Sequence, residues 1–304
     1  MTPPSPYDAL QLRIKTILPA TYRDCYEEVQ PVSMGSAGLK YTPDGQVAWN
    51  EIWTTFCDLA MAGGPPHKGK LLEPATLAAI EADPTRYQQV LAEICRGIAL
   101  VTELPVQPSP APGWVQVECA DPVMAGWLLR AITMENVAAR AHGVFLELPA
   151  GPAYRIEKEV KNVITVIAKT CHYWVEHMWP SQETAIGELF AIMAVERPLL
   201  EPAPGSAELP TDIQQLTGLA PTPTLYPGWL GLNCPDVPSA VWLIRALVAS
   251  NILARREGTV LYVPLNPATD PQGQTLTRTL TELCAFARER HLLSPAMPLQ
   301  APLH

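Results

Sequence analysis

Residues 112–149 read PGWVQVECADPVMAGWLLRAITMENVAARAHGVFLELP, and residues 227–264 read PGWLGLNCPDVPSAVWLIRALVASNILARREGTVLYVP. The two segments align without a gap at a constant offset of 115, with 16 identities in 38 positions. Identities of this number and spacing indicate two copies of one structural unit. We therefore expect an internal duplication, although a repeat by itself specifies neither a ligand nor a reaction.

The first copy predicts a strand, a helix, a second strand and a second helix. Trp114–Glu118 alternates apolar and polar side chains as a strand does. Asp121, followed by a proline, is suited to cap a helix that we expect to end at Gly143. Val144–Leu148 then predicts the second strand, and the apolar stripe over Ile156–Met178 predicts a long helix.

The second copy repeats this order of elements. Leu230–Asn233 and Val260–Val263 predict its strands, Asp236 caps its first helix, Gly258 ends that helix, and a further helix is expected near Leu276–Arg290. The predicted fold class is therefore α+β or α/β, with tandem duplicated β-α-β-α units.

The N-terminal region is predicted to be mostly helical, with one helix running from Trp49 to Ala60. Its order of helix, glycine turn, short apolar segment and helix agrees with the copies, so we consider it as a diverged third unit. Proline-rich segments mark the boundaries. The predicted domains are an N-terminal α+β region at 1–104, a first repeat unit at 112–197, a proline-rich linker at 198–226, a second repeat unit at 227–294 and a tail at 295–304.

Composition excludes several classes of function. The formal net charge is −9, and no run of Lys and Arg exists that could bind a phosphate backbone, so a nucleic-acid partner is not expected. Neither a signal peptide nor a membrane-spanning segment is recognisable, which favours a cytoplasmic protein without a membrane partner. The seven cysteines are scattered and form no disulfide or zinc pattern, so reduced thiols are expected.

Each copy places a cysteine two residues before the aspartate that begins its helix, at Cys119 and Cys234. The positive end of a helix can lower a thiol pKa, which would suit a nucleophile, a metal ligand or a carried sulfur. Residues 234–238, CPDVP, resemble in outline the start of the small SirA-like sulfur-carrier proteins, in which a cysteine lies between the first strand and the first helix. The resemblance implies a sulfur carrier; the second proline is one position late, and Cys119 precedes Ala120 instead of a proline. The alternative is a small buried side chain at a strand-helix corner.

Within the loop Gly63–Lys70, residues Gly64–Lys70 have the spacing of a phosphate-binding P-loop. Two of its residues are prolines, which donate no N–H to phosphate, and Leu71 replaces the expected hydroxyl residue, so a nucleoside triphosphatase is not expected. The loop nevertheless concentrates His67, Lys68 and Lys70 in an acidic protein. We therefore expect it either to meet an anionic group or to be a simple surface turn.

The long helix of the first copy carries polar side chains at steps of three and four, which places them on one face. These are Lys161, Thr165, Lys169, His172 and Glu176. The second copy has no equivalent lysine-histidine pair, as expected if one copy kept an active surface; a solvated face and a looser metal site at His172 and Glu176 are the alternatives. A zinc protease is not expected, because His172 and His177, five residues apart, should point about 140° away from each other.

Arginines recur on the first helix of each copy. Arg130 and Arg245 each follow a tryptophan by three residues, so we expect half-buried guanidinium groups that need a carboxylate, a carbonyl or a ligand. Arg140 and Arg255 are expected in the last helical turn, where they would complement the helix dipole.

The leading hypothesis is a protein that binds a small anionic ligand or cofactor in a crevice between the repeated units. The residues expected to bind it are Arg130, Lys161, Lys169, His172, His67, Lys68 and Lys70. No cofactor, metal or reaction is assigned. The alternatives are a thiol-based sulfur carrier or metal-binding protein using Cys119 and Cys234, and a non-catalytic interaction subunit or scaffold that contacts other proteins or a second copy of the chain.

Overall fold

The computed structural model describes residues 5–24, 38–53, 57–203, 213–223 and 226–293. These residues form a mixed α+β fold with nine α-helices and two four-stranded antiparallel sheets. The helices are α1 Pro6–Ile17, α2 Leu77–Ala82, α3 Pro84–Thr102, α4 Pro122–Met134, α5 Lys161–His177, α6 Pro180–Glu196, α7 Ile213–Thr217, α8 Val237–Val248 and α9 Gln274–Glu289. The strands are β1 Val106–Pro108, β2 Trp114–Glu118, β3 Arg140–His142, β4 Phe145–Pro149, β5 Ala220–Thr222, β6 Trp229–Asn233, β7 Arg255–Glu257 and β8 Val260–Pro264.

The chain separates into two compact units. Unit 1 combines Met1–Ile14 with Ile192–His304, and unit 2 is Lys15–Ala191. The predicted tail at 295–304 lies outside the described residues, as does the part of the predicted linker at 204–212 and 224–225. No helix within the described ranges combines the length and the hydropathy needed to cross a membrane.

Unit 2 is built on a sheet with the strand order β1-β2-β4-β3. In its central pair, Trp114 lies opposite Pro149 and Glu118 opposite Phe145. Helices α3 and α4 contact the sheet, and α5 packs against both of them. Alternate residues of β2 and β4 are fully buried on the side of the core, as expected for a sheet covered by helices.

Helix α4 begins as the sequence predicts. Asp121 Oδ1 accepts hydrogen bonds from Val123 N and Met124 N, both at 2.8 Å. Most of α4 is buried, and the indole of Trp127 lies 5.5 Å from that of Trp174 on α5. Trp127 Nε1 also donates to the carbonyl of Ile17 at 2.8 Å, which satisfies the buried polar end of this side chain.

Unit 1 contains the second sheet, with the order β5-β6-β8-β7. Trp229 lies opposite Pro264 and Asn233 opposite Val260, in the same register as the central strands of unit 2. Asp236 Oδ1 accepts from Ser239 N at 2.8 Å at the start of α8, and α9 packs against α8 and α7.

A short extended segment precedes each sheet and was not foreseen. Residues 71–75 and 199–203 both read LLEPA, at an offset of 128 instead of 115. Leu72 forms a parallel bridge with Val137, and Leu200 forms one with Ile252. In each unit the last residue of this segment lies against a glycine of positive φ, Gly113 or Gly228, where a Cβ would come within 2.7 Å of a backbone oxygen. The two units therefore share this segment as well as the order of their strands.

The predicted order of elements in each copy is incomplete. Two three-residue edge strands, β1 and β3, precede the central strands, so unit 2 reads β-β-α-β-β-α. The helix does not continue to Gly143; it ends at Met134, and Asn136 follows with φ of 62°. Gly143, with φ of 60°, lies instead in the turn between β3 and β4.

Arg140 and Arg255 were expected in the last turn of a helix; they lie instead on strands β3 and β7. Arg140 pairs across the sheet with Glu147 and lies over the ring of Trp114. In unit 1 the residue opposite Arg255 is Tyr262, whose ring centre lies 4.0 Å from the guanidinium carbon, and Arg255 forms its ion pair with Glu257 at 2.8 Å.

The predicted helix from Trp49 to Ala60 is wrong. The structure has short 3₁₀ turns at Trp49–Glu51 and Ala60–Ala62, and residues 54–56 of the predicted helix lie outside the described part of the chain. The described residues form two sheets and no third one, so the structure gives no support to the hypothesis of a third unit.

Candidate functional site

The loop Gly63–Lys70 of unit 2 is attached to the end of α4. Lys68 N donates to the carbonyl of Glu135 at 3.2 Å, and Asn136 Nδ2 donates to the carbonyl of Lys68 at 2.9 Å. Asn136 adopts the left-handed conformation that asparagine tolerates better than most residues, which directs its amide toward the loop. These hydrogen bonds fix the position of the Lys68 backbone relative to the end of α4.

A buried ion pair lies beneath this loop. Lys169 Nζ is 2.8 Å from Glu135 Oε1, and neither side chain is exposed. The carboxylate also accepts from Ala60 N at 2.9 Å and from His67 N at 2.8 Å, while Nζ contacts Cys57 Sγ at 3.5 Å. Burial opposes the charge of Lys169, but Glu135 outweighs it and raises the pKa of this ammonium. Lys169 was expected on a ligand-binding face. Its ammonium group is instead buried inside unit 2, where it pairs with Glu135.

The ring of His67 is neutral at pH 7. Burial, with repulsion from Lys169, lowers its pKa to about 4. Its Nε2 lies 3.0 Å from Asn162 Oδ1, so Nε2 carries the ring proton and Nδ1 is an acceptor. Nδ1 is inaccessible to solvent and has no hydrogen-bond partner within the residues that the structure describes. His67 therefore contributes an acceptor at neutral pH and no charge.

The loop and the start of the long helix together form a cationic surface, defined as Lys68, Lys70, Arg155, Lys158 and Lys161. Lys68 is half-buried, and burial lowers its pKa; Glu159 opposes this shift, and repulsion from Lys158 and Arg155 adds to it. Lys161 acts on His67 from the neighbouring turn, and Lys70 is exposed two residues after Lys68. Arg155 and Lys158 were not predicted as site residues; their spacing of three from each other and from Lys161 was the available signal.

The turn that carries these cations has unusual geometry. Residues Ile156–Val160 form a π-helical turn before α5 begins. Arg155 and Glu159 close this turn with an ion pair at 3.3 Å, and Glu159 Oε2 also accepts from Arg155 N at 3.1 Å. Turns of this kind are rare and are often found at functional sites. Unit 1 has no such turn at α9, which starts directly after Gly273.

Arg130 is buried at the side of α4 that faces α6. Its Nη1 donates to the carbonyl of Gly126 at 2.7 Å, and its guanidinium lies 4.0 Å from the ring centre of Phe190. Arg245, its counterpart in unit 1, is also buried. The expectation of half-buried arginines underestimated their burial, and the carbonyl of Gly126 is one of the partners that such a group needs.

The predicted polar face of α5 is divided by burial. Thr165 is buried like Lys169, whereas His172 is partly exposed and lies 3.1 Å from Glu176. His172 Nε2 also lies 3.4 Å from His177 Nε2, so the expectation that these rings point apart is wrong. The helix ends at His177, which leaves the last side chain able to turn back.

A tyrosine pair near the buried lysine was missed. Tyr22 donates to Asp58 at 2.6 Å and lies 2.7 Å from the hydroxyl of Tyr173, and burial followed by these hydrogen bonds raises the pKa of Tyr22. Gly64 packs on the backbone of Asp58, where a Cβ would lie 2.3 Å from the carbonyl oxygen. In the sequence, the available signal for this tyrosine pair was that Tyr173 follows Lys169 by four residues, on the same face of α5.

The two cysteines at the strand-helix corners are buried. Burial raises the pKa of Cys119 and of Cys234 to about 12 each, and the capping aspartates, Asp121 and Asp236, act in the same direction. The expected lowering by the helix terminus is therefore wrong, because loss of solvent and a nearby carboxylate outweigh the helix dipole.

In the described part of the chain, no three His, Cys, Asp or Glu side chains are grouped to hold a metal ion. Comparison with protein-family models, with curated proteins and with solved structures yields no match, so the function has to be inferred from the site itself.

Proposed function

We propose that unit 2 binds a small anionic ligand, carrying phosphate or carboxylate groups, at the cationic surface. The proposal keeps Lys68, Lys70 and Lys161 from the sequence analysis and adds Arg155 and Lys158. Lys169 and Arg130 are left out of this surface as parts of the core, since the first is paired with Glu135 and the second lies on Phe190.

The observation that carries the proposal is the concentration of positive charge around Lys68. In a chain whose net charge is −9, Arg155 and Lys158 lie within electrostatic range of Lys68, and Lys70 follows two residues further along the loop. Arg155 and Lys158 share a single carboxylate, that of Glu159, in their ion pairs. Burial lowers the pKa of Lys68, and repulsion from Lys158 and Arg155 adds to this although Glu159 opposes it. An anion would relieve this repulsion. Asn136 Nδ2 donates to the carbonyl of Lys68, and Lys68 N donates to the carbonyl of Glu135, so the backbone of Lys68 is held in place before the ligand arrives.

Pyrophosphate, titrated into the full-length protein by calorimetry at low salt, tests the proposal. We expect binding that weakens with ionic strength, because exposed charges are screened. Lys68→Ala and Lys158→Ala should each weaken it about three- to tenfold, at roughly 1 kcal/mol per charge. Lys40→Ala removes an exposed lysine elsewhere in unit 2 and should leave the affinity unchanged. Absence of binding, or equal losses in all three variants, would refute the proposal.

An interaction subunit is the second candidate function. Trp179 and Val175 are 63% and 68% exposed at the junction of α5 and α6, and large exposed apolar side chains favour contacts with other proteins. A thiol-based carrier or metal-binding function receives no such support, because Cys119 and Cys234 are buried and protonated at neutral pH.

A further inference from the structure

Unit 1 contains a pocket of about 190 Å³ lined by α1, α9 and the chain at Arg197 and Ser250. Its apolar wall includes Leu10 from α1 and Leu283 and Phe286 from α9, and its polar lining includes Arg197, Ser250 and Glu282. For comparison, a cavity of roughly 150 Å³ accepts benzene. The pocket therefore has room for a small organic molecule with a modest apolar group.

Arg197 enters this pocket as a positioned cation. Its Nη1 donates to Thr279 Oγ1 at 2.5 Å, and Thr279 in turn donates to the carbonyl of Thr275 at 2.9 Å. The carbonyl of Arg197 accepts from Asn251 Nδ2 at 2.9 Å. Within the described ranges Arg197 has no ion pair within 4.0 Å. Burial, with repulsion from Arg278, lowers its pKa, and the carboxylates of Glu196 and Glu282 act in the opposite direction.

Glu282 supplies the opposite charge on the same wall. It lies one turn after Thr279 on α9, and it forms neither an ion pair nor a side-chain hydrogen bond with another described residue. Arg13, also in the pocket, is neutralised by Glu196 through bonds of 2.8 and 2.5 Å. The pocket thus presents a cation and an anion, Arg197 and Glu282, that attract each other without forming a direct ion pair within 4.0 Å.

Unit 2 fills the equivalent positions with its own charges. The repeat offset of 115 places Ser250 where unit 2 has Glu135. When α9 is aligned with α5 through their buried cysteines, Cys284 and Cys171, each buried residue of α9 matches a buried residue of α5. The exposed Glu282 then occupies the position of the buried Lys169 of unit 2. An ammonium and a carboxylate thus meet inside unit 2 at the place where unit 1 is open.

We infer that the pocket of unit 1 binds a small zwitterion of the apolar amino-acid class. Arg197 and the hydroxyl of Ser250 bind its carboxylate, Glu282 binds its ammonium group, and Leu10, Leu283 and Phe286 surround its side chain. The bound molecule then supplies the pair of charges that Glu135 and Lys169 supply in unit 2.

The test uses the full-length protein and calorimetry with L-valine, L-leucine and L-phenylalanine. The tightest binder is compared with its counterparts that lack either the ammonium or the carboxylate group, and each should bind at least tenfold more weakly. Arg197→Gln and Glu282→Gln should lower the affinity at least tenfold, whereas Glu289→Gln, an exposed carboxylate at the end of the same helix, should not. The inference fails if no amino acid binds, if the carboxylate-only compound binds equally well, or if Arg197→Gln has no effect.

A double variant tests the comparison of the two units. Ser250→Glu with Glu282→Lys should rebuild the internal ion pair, close the pocket and abolish amino-acid binding while the protein stays folded by circular dichroism. Pyrophosphate binding to unit 2 should be unchanged in this variant, which separates a failure here from a failure of the proposed function. Amino-acid binding that survives in a folded double variant would overturn the assignment.

Discussion

Lys169 and Glu135 lie 2.8 Å apart with no exposed surface on either side chain, and the same carboxylate accepts two backbone N–H groups from the segment around the loop. The pair therefore joins α5, the end of α4 and the loop that carries Lys68. Removing one member of a buried pair strongly destabilises a protein, because the charge of the other member stays buried without a counter-ion and without water.

Lys169→Met should destabilise the protein by about 3–5 kcal/mol, since it leaves the carboxylate of Glu135 buried without a counter-ion. Combining it with Glu135→Gln should recover part of the loss, because the amide is neutral and can still accept a backbone hydrogen bond. Urea unfolding measures both, with Lys158→Met, an exposed lysine, as the control. A loss below about 1 kcal/mol for Lys169→Met would contradict the buried pair.

The neutral state of His67 makes stability depend on pH. Its pKa is about 4 in the folded protein and about 6.5 when unfolded, so the unfolded chain binds more protons between these values. This contribution is fully present above pH 6.5 and is lost as the pH falls through 4, on the order of 3 kcal/mol in all. The difference in unfolding free energy between wild type and His67→Gln should therefore shrink or reverse across this window. His142→Gln, at an exposed histidine outside the loop, is the matched control.

Two glycines of the same loop should respond differently to alanine. A Cβ at Gly64 would lie 2.3 Å from the carbonyl oxygen of Asp58, whereas a Cβ at Gly69 meets nothing within 4 Å. Gly64→Ala should cost about 1–3 kcal/mol or more through overpacking, and Gly69→Ala should stay within about 0.5 kcal/mol. Thermal unfolding distinguishes them; equal melting temperatures would mean that the loop is not held against Asp58.

Cys119 and Cys234 should be alkylated very slowly in the folded protein. With pKa values of about 12, only about one thiol in 10⁵ is ionised at pH 7. Mass spectrometry after timed iodoacetamide treatment should find both modified only after denaturation in urea. Modification of either cysteine in the native protein at the rate of a free thiol would revive the sulfur-carrier hypothesis.

The central elements of each unit could be predicted because local chemistry determines them. The alternation in Trp114–Glu118 and the capping by Asp121 act within a few residues, and the structure has the strand and the helix where these signals lie. The extent of α4 was overestimated because the true stop signal is Asn136 in a left-handed conformation, which a sequence pattern does not distinguish from an ordinary helical asparagine. The edge strands β1 and β3 are three residues long, too short to show a period.

The candidate site was predicted only in part. His67, Lys68 and Lys161 were found because they are cations in an acidic chain. Whether a lysine on α5 faces solvent or the core depends on Glu135, which is 34 positions away and became a partner only through the turn after α4. Long-range pairing of this kind leaves no periodic signal, and the same is true of the contact between Arg130 and Phe190.

Asn136 and Asn251 each end a helix and, through the side-chain amide, hold the carbonyl of Lys68 or of Arg197. Glycine at either position would relieve the positive φ and could favour folding, but it would release the segment that carries the cation. Folding and recognition therefore place opposed demands on one side chain in each unit. A chain optimised only for stability would be expected to lose these asparagines, and with them the precise presentation of both charges.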